Sequence, residues 1–116
     1  MTNFKDKKVA VLGLAKSGSA AAARLAKLGA KVFATDVLPK EKLDPKIIDE
    51  LEDLKVVLEL GGHNEDSLLS SELMVLSPGV PFDLPILNAA REKKIPVISE
   101  IELAYRFLIK PIYGNK

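Results

Sequence analysis

Five short apolar runs, KVAVL, KVFAT, KVVLEL, LMVL and PVIS, recur along the chain with helix-forming stretches between them. No other feature constrains the fold as strongly. Continuous β-branched runs without polar alternation read as strands buried on both faces. Strands separated by helices are joined by right-handed crossovers and therefore pair in parallel. The expected strands are residues 8–12, 31–35, 55–60, 73–76 and 96–99. The expected helices are 17–28, 45–53, a short helix or turn at 64–69, then 84–93 and 100–109. Asp44 precedes Pro45 as an N-cap, and Gly29 stops the first helix. The fold class is α/β: a Rossmann-like, doubly wound, mainly parallel five-stranded sheet with helices on both faces, ordered 3-2-1-4-5. Its core should hold Val9, Val11, Leu12, Leu25, Val32, Val57, Val75 and Val97.

The 116 residues suit one domain rather than two. A hydrophobic fraction of 47% and a charged fraction of 28% are those of a globular domain. The net charge of +1 gives no strong pull toward nucleic acid or a membrane surface. Without cysteine there is neither a disulfide framework nor a thiolate metal site. The start, MTNFKDKK, has no apolar core behind its lysines, so no signal peptide is expected. No apolar run approaches the roughly 20 residues of a membrane span. A cytoplasmic setting is the expectation.

In an open α/β sheet, ligands bind beyond the carboxyl ends of the strands, where the strand order reverses. Three features should converge there. The first is the loop Gly13-Leu14-Ala15-Lys16-Ser17-Gly18 after the first strand. Backbone N–H groups at a helix N-terminus, backed by the helix dipole, favour an anion. Gly13 permits the turn and Gly18 lets the helix approach. Ser17 brings a hydroxyl and a possible N-cap, and Lys16 brings charge. A dinucleotide loop would have glycine at position 15, where the pyrophosphate approaches the backbone, and here Ala15 stands. An ATP loop would have lysine after Gly18, and here Ser19 follows.

The second feature is Asp36, ending the second strand about 20 residues past the loop, suited to a hydroxyl pair or a base N–H. The third is Ser77-Pro78-Gly79, a rigid turn with a permissive glycine. Each also has a plainer reading: a ligand-free turn, a solvated aspartate, an ordinary strand-to-helix turn. His63 is the only histidine and has no partner at metal-ligand spacing, so it reads as a solvated loop residue. Glu65, Asp66 and Glu72 read as solvated surface, and Glu100 and Glu102 as acids suited to the start of the last helix. No catalytic or metal-ligating constellation can be proposed from these residues.

Taken in order, VAVLGLAKSG, a strand ending in Asp36, ELGGH, VLSPGVP and ISEIELAYRF resemble the N-terminal domain of the Mur ligase family, over nearly the whole chain. Within that family the resemblance is strongest to the branch that adds D-glutamate to UDP-N-acetylmuramoyl-L-alanine in peptidoglycan biosynthesis. It implies that residues 1–110 form a Rossmann-like domain binding the UDP part of that substrate. Lys16 and Ser17 would lie against the diphosphate and uridine side, Gly18 would help form the loop, Asp36 would contact uracil and Gly79 would pack near it. Val37 and Leu38 replace the polar residues that in the family often follow the aspartate. The resemblance further implies that residues 111–116 are a tail leading toward a central domain that binds ATP and magnesium, followed by a domain for D-glutamate. The full-length protein would be an ATP-dependent ligase working through an acyl phosphate. This chain alone would bind substrate at most, with no cofactor of its own. The alternatives are a dinucleotide-binding module of an oxidoreductase and a ligand-free interaction domain on the same scaffold.

Overall fold

The structure, a computed structural model, describes residues 3–109. The expected tail at 111–116 lies outside the described residues. Five strands, β1 (Lys8–Leu12), β2 (Lys31–Asp36), β3 (Val57–Leu60), β4 (Leu73–Leu76) and β5 (Val97–Ser99), form one sheet in the order β3-β2-β1-β4-β5. Every neighbouring pair is parallel, and the register aligns Val9 with Val32 on one side and with Leu73 on the other. The fold is the doubly wound Rossmann-like sheet that the run pattern implies, with its order reversing between β1 and β4.

Helices cover both faces. On one face α1 (Lys16–Lys27), α2 (Pro45–Asp53) and α5 (Glu100–Leu103) bury Leu25, Leu51 and Leu103 against Val9, Val11, Val32 and Val75. On the other, α3 (Glu65–Leu69) and α4 (Pro85–Glu92) bury Leu68, Leu87 and Ala90 against Ala10, Leu12, Met74 and Leu76. Successive strand residues point to opposite faces, so β1 and β4 supply both cores. Among the described residues no helix is long and apolar enough to cross a membrane.

Local chemistry explains the boundaries. Asp44 caps α2 by accepting the Lys46 N–H at 2.9 Å, and Pro45 takes the first helical position, where no N–H is needed. Asn64 caps α3 in the same way through Ser67 N–H. The third strand starts at Val57 rather than Lys55. Lys55 takes a left-handed φ of 65°, and Val56 N–H returns to Leu51 O at 3.0 Å, so both residues finish the α2 turn. The last helix begins at Glu100 as expected but changes winding, with a π-helical stretch at Ala104–Ile109.

Two expected core positions are corrected. Val57 is 57% exposed, because β3 is an edge strand and the α3–α4 layer stops short of it. Val56, one residue earlier and on the opposite face, is the buried member of the pair. Val97, on the other edge strand, is half-buried against the α3–α4 layer. Denaturant unfolding separates these roles. Leu51→Ala, at a fully buried site, is expected to cost about 2–5 kcal/mol. Val57→Thr should stay within about 0.5 kcal/mol, as surface substitutions do. A Val57→Thr cost as large as that of Leu51→Ala would refute the assignment of Val57 to an uncovered edge.

Candidate functional site

The 13–18 loop leaves the end of β1 at the point of order reversal and is held from both sides. On the β2 side, Gly13 N–H donates to Thr35 O at 2.8 Å, and Leu14 N–H donates to the Asp36 Oδ2 carboxylate at 2.7 Å. On the β4 side, Ser77 N–H donates to Leu12 O at 3.0 Å, and Ser77 Oγ donates to Gly13 O at 2.7 Å. The three features far apart in sequence therefore meet, as the strand order requires. Asp36 and Ser77 are its two clamps.

Asp36 is 9% exposed, not a solvated loop residue. A carboxylate is tolerated there because each oxygen receives an N–H: Oδ2 from Leu14, Oδ1 from Leu38 at 2.9 Å. Its carbonyl accepts the N–H groups of Gly61 at 2.9 Å and Gly62 at 3.2 Å. Each carboxylate oxygen has a second lone pair, so Asp36 retains capacity to accept from a ligand. Val37 and Leu38 beside it stand exposed.

Ser77, which the sequence marks only as part of its turn, is 3% exposed and governs the geometry. A Cβ on Gly18 would come within 2.0 Å of Ser77 Oγ and 2.1 Å of Gly13 O. Gly18 is therefore a packing residue: only a missing side chain lets α1 start so close to both loops. Gly13 is held by two constraints, a φ of 94° and a Cβ position 3.0 Å from Ser77 Cβ. Sequence signals for Ser77 existed, since a serine directly before Pro-Gly at the end of a central strand stands next to the first loop at the reversal.

The helix N-cap is Ala15, with no side-chain cap bond, and the helix starts at Lys16. Ser17 is therefore not the N-cap. It lies in the first turn, exposed, on the wall of a cleft of about 260 Å³ with Arg24 of α1 and Glu100 and Leu103 of α5. The first helical bond runs from Ser19 N–H to Ala15 O at 2.9 Å. The backbone N–H groups of Lys16, Ser17 and Gly18 precede it and have no partner within the helix. Gly79 has a φ of 98° and nothing within 4 Å of its Cβ position. It lines a second cleft of about 420 Å³ with Ser77, Phe82 and Glu100.

Two minor readings change. His63 is half-buried and paired: its Nδ1 meets the hydroxyl of the fully buried Thr35. The contact pins the 61–63 turn to the end of β2, beside Asp36. Glu72 accepts the Lys8 N–H at 2.9 Å and stands 3.9 Å from Lys7 Nζ, tying β4 to β1 at the end of the sheet away from the site.

Residues 7–99 match the family described as Mur ligase MurD-like, N-terminal domain. The chain belongs to that family. Mur ligase relatives agree along almost all of it. A UDP-N-acetylmuramoylalanine–D-glutamate ligase from Streptococcus sanguinis is 50% identical over 98% of this chain and 25% of its own length. The same-named enzyme from a Geobacter species is 47% identical over 94% of this chain and 24% of its own length. The chain thus spans about a quarter of the length of these curated relatives. Among solved structures, a pseudomurein peptide ligase type C from Methanothermus fervidus aligns with a TM-score of 0.72 at 22% identity, covering 90% of this chain and 21% of its own. The UDP-N-acetylmuramate-alanine ligase from Thermotoga maritima aligns with a TM-score of 0.64 at 20% identity, covering 83% of this chain and 21% of its own. At those identities the alignments establish the Mur ligase fold.

The clamp makes a sharp prediction about Gly18. In an ordinary helix Gly→Ala stabilises by roughly 0.5–1 kcal/mol. Here Gly18→Ala should destabilise by at least about 1–3 kcal/mol, the range for overpacking. Adding Ser77→Ala removes one clash but not the one with Gly13 O, so the double variant should not recover. Thermal or urea unfolding of the two variants checks this, and a neutral Gly18→Ala would contradict the packing role.

Proposed function

We propose that this chain is the substrate-binding part of a ligase that adds D-glutamate to UDP-N-acetylmuramoyl-L-alanine, and that it holds the UDP end. The observation that carries the reading is the open N-terminus of α1, clamped between Asp36 and Ser77 at the reversal of strand order. Such a terminus offers N–H donors and the positive end of a dipole to a diphosphate. The names and identities of the relatives supply the substrate class.

In this reading the backbone of Lys16, Ser17 and Gly18 meets the diphosphate, with the Ser17 hydroxyl beside it. Asp36 accepts an N–H from uracil with a lone pair not used by Leu14 or Leu38. The open side of Gly79 gives the UDP part a close approach on the β4 side. Val37 and Leu38, exposed next to Asp36, offer apolar contact where polar side chains are common in the family. Position 15, where a dinucleotide loop makes room for pyrophosphate, carries a methyl, which favours the UDP reading over a nicotinamide dinucleotide.

The ligation step belongs to the remaining length of the relatives. Gly18 is followed by Ser19, with no lysine to reach terminal phosphates, so the loop does not fit ATP. In this reading ATP and magnesium belong to a central domain and D-glutamate to a C-terminal one, both beyond residues 111–116. ATP there supplies the carboxylate activation. Ligation then takes the remaining length of the relatives as well as this part, and its setting is the cytoplasm, where the precursor would be met.

Titration followed by NMR tests the reading. UDP and UDP-N-acetylmuramoyl-L-alanine should perturb the amides of Ser17, Asp36 and Gly79, and NAD should not. Perturbation by NAD alone would overturn it in favour of the oxidoreductase module, and no response to any of the three would leave the ligand-free scaffold open, since this chain is about a quarter of the relatives' length. Asp36→Asn should weaken uridine binding at least tenfold, since a bond to a charged group contributes about 1.5–3 kcal/mol. It should also lower stability, because Leu14 and Leu38 lose a charged acceptor. Unchanged uridine affinity would remove Asp36 from the site.

A further inference from the structure

Glu100 opens α5 where β5 ends, at the same edge of the sheet as the 13–18 loop. Its neighbour Glu102 is fully accounted for: its N–H is capped by Ser99 Oγ at 3.0 Å and its carboxylate pairs with Arg106 at 2.8 Å. Glu100 is not. Its Oε2 is buried and accepts no hydrogen bond, and among the described residues it is the one buried side-chain oxygen or nitrogen left so. A buried acceptor without a donor is destabilising, more so when charged; glutamine would lower that penalty and alanine would remove it. A group left so in a folded domain calls for an explanation, and a ligand donor is one.

Its place gives the reason. The cleft beside Ser17 and Arg24 and the cleft beside Ser77, Gly79 and Phe82 share one lining residue, Glu100. A ligand anchored at the start of α1 and extending toward the β4–α4 loop passes this carboxylate. We infer that Glu100 is a ligand-recognising residue whose carboxylate accepts a hydrogen bond from an O–H or N–H donor on the part of the ligand beyond its phosphates.

The inference rests on the UDP reading above and adds direction to it. A carboxylate repels the diphosphate and attracts hydroxyl and amide donors, so the ligand can lie in only one sense. The phosphates go to the α1 terminus and the sugar–peptide portion goes to Glu100. UDP, lacking that portion, leaves Glu100 unpaired.

Calorimetric titration of the 116-residue chain and its Glu100→Gln variant, with UDP and with UDP-N-acetylmuramoyl-L-alanine, decides it. Glu100→Gln is expected to lose about tenfold or more in affinity for the longer ligand and to change UDP affinity by less than about twofold. Equal losses for both ligands, or none for the longer one, overturn the inference. Melting of the ligand-free proteins provides an independent arm. A carboxylate kept for a ligand predicts that Glu100→Gln melts at the same temperature or higher, whereas a drop of several degrees shows a structural role and overturns it. Should the wild-type chain bind neither ligand, the melting comparison decides: an equal or higher melting temperature for Glu100→Gln supports the inference, and a drop of several degrees overturns it.

Discussion

The hydrogen bond from Leu14 N–H to the Asp36 carboxylate organises the ligand edge of this domain. It joins the turn after β1 to the end of β2 across a buried gap where a lone charge would be unstable. The same aspartate orders the turn after β3 through its carbonyl, and the Thr35–His63 contact reinforces that link. On the opposite side, Ser77 fastens the turn after β4 to Gly13. Three crossovers are thereby locked to one loop, and α1 can present its open N-terminus only because that loop is fixed. Preorganisation of this kind spares a ligand the ordering of the loop on binding.

Much of this was legible in the sequence because it depends on patterns that tertiary context rarely overrides. Continuous apolar runs between amphipathic helices dictate a parallel sheet, and the crossover rule limits its order. Convergence of Gly13, Asp36 and Ser77 followed from the reversal of that order. What escaped depended on single contacts. The start of β3 could not be read because Lys55 takes a left-handed conformation that glycine usually signals. Val57 looked as apolar as Val9, but its exposure is decided by how far α3 and α4 reach. His63 looked solitary because its partner, Thr35, lies 28 residues away in sequence. Ser77 looked like an ordinary turn residue because its acceptor, Gly13 O, lies 64 residues away.

The roles of the glycines also separate once the geometry is known. Gly18 resembles a phosphate-contacting glycine in a motif, yet its missing Cβ is required by Ser77 and Gly13 rather than by any ligand. Gly79, from a different loop, has nothing within 4 Å of its Cβ position, as do Gly61 and Gly62 after β3. The dinucleotide fingerprint concentrates turn, approach and packing in one loop. Here turn and packing stay in the first loop with Gly13 and Gly18, and the open approach has moved to the loop after β4. That redistribution explains why the 13–18 loop departs from the dinucleotide template without being a degraded copy of it.

A ligand that uses both loops must lie across the reversal rather than along one helix start, and this has a consequence for selectivity. Its phosphates are held in the middle by backbone groups that any phosphate could satisfy, so the discriminating contacts have to come from its flanks. On one flank stand Asp36 with exposed Val37 and Leu38, on the other the unpaired carboxylate of Glu100. Both charged groups are acceptors, and neither can serve a second phosphate. A site with donors in the middle and acceptors at both ends suits a diphosphate bearing donor-rich groups on each side. In the proposed reading that ligand is a nucleoside diphosphate joined to an amide-bearing sugar, and an ATP-like triphosphate would drive negative charge into one of the two carboxylates.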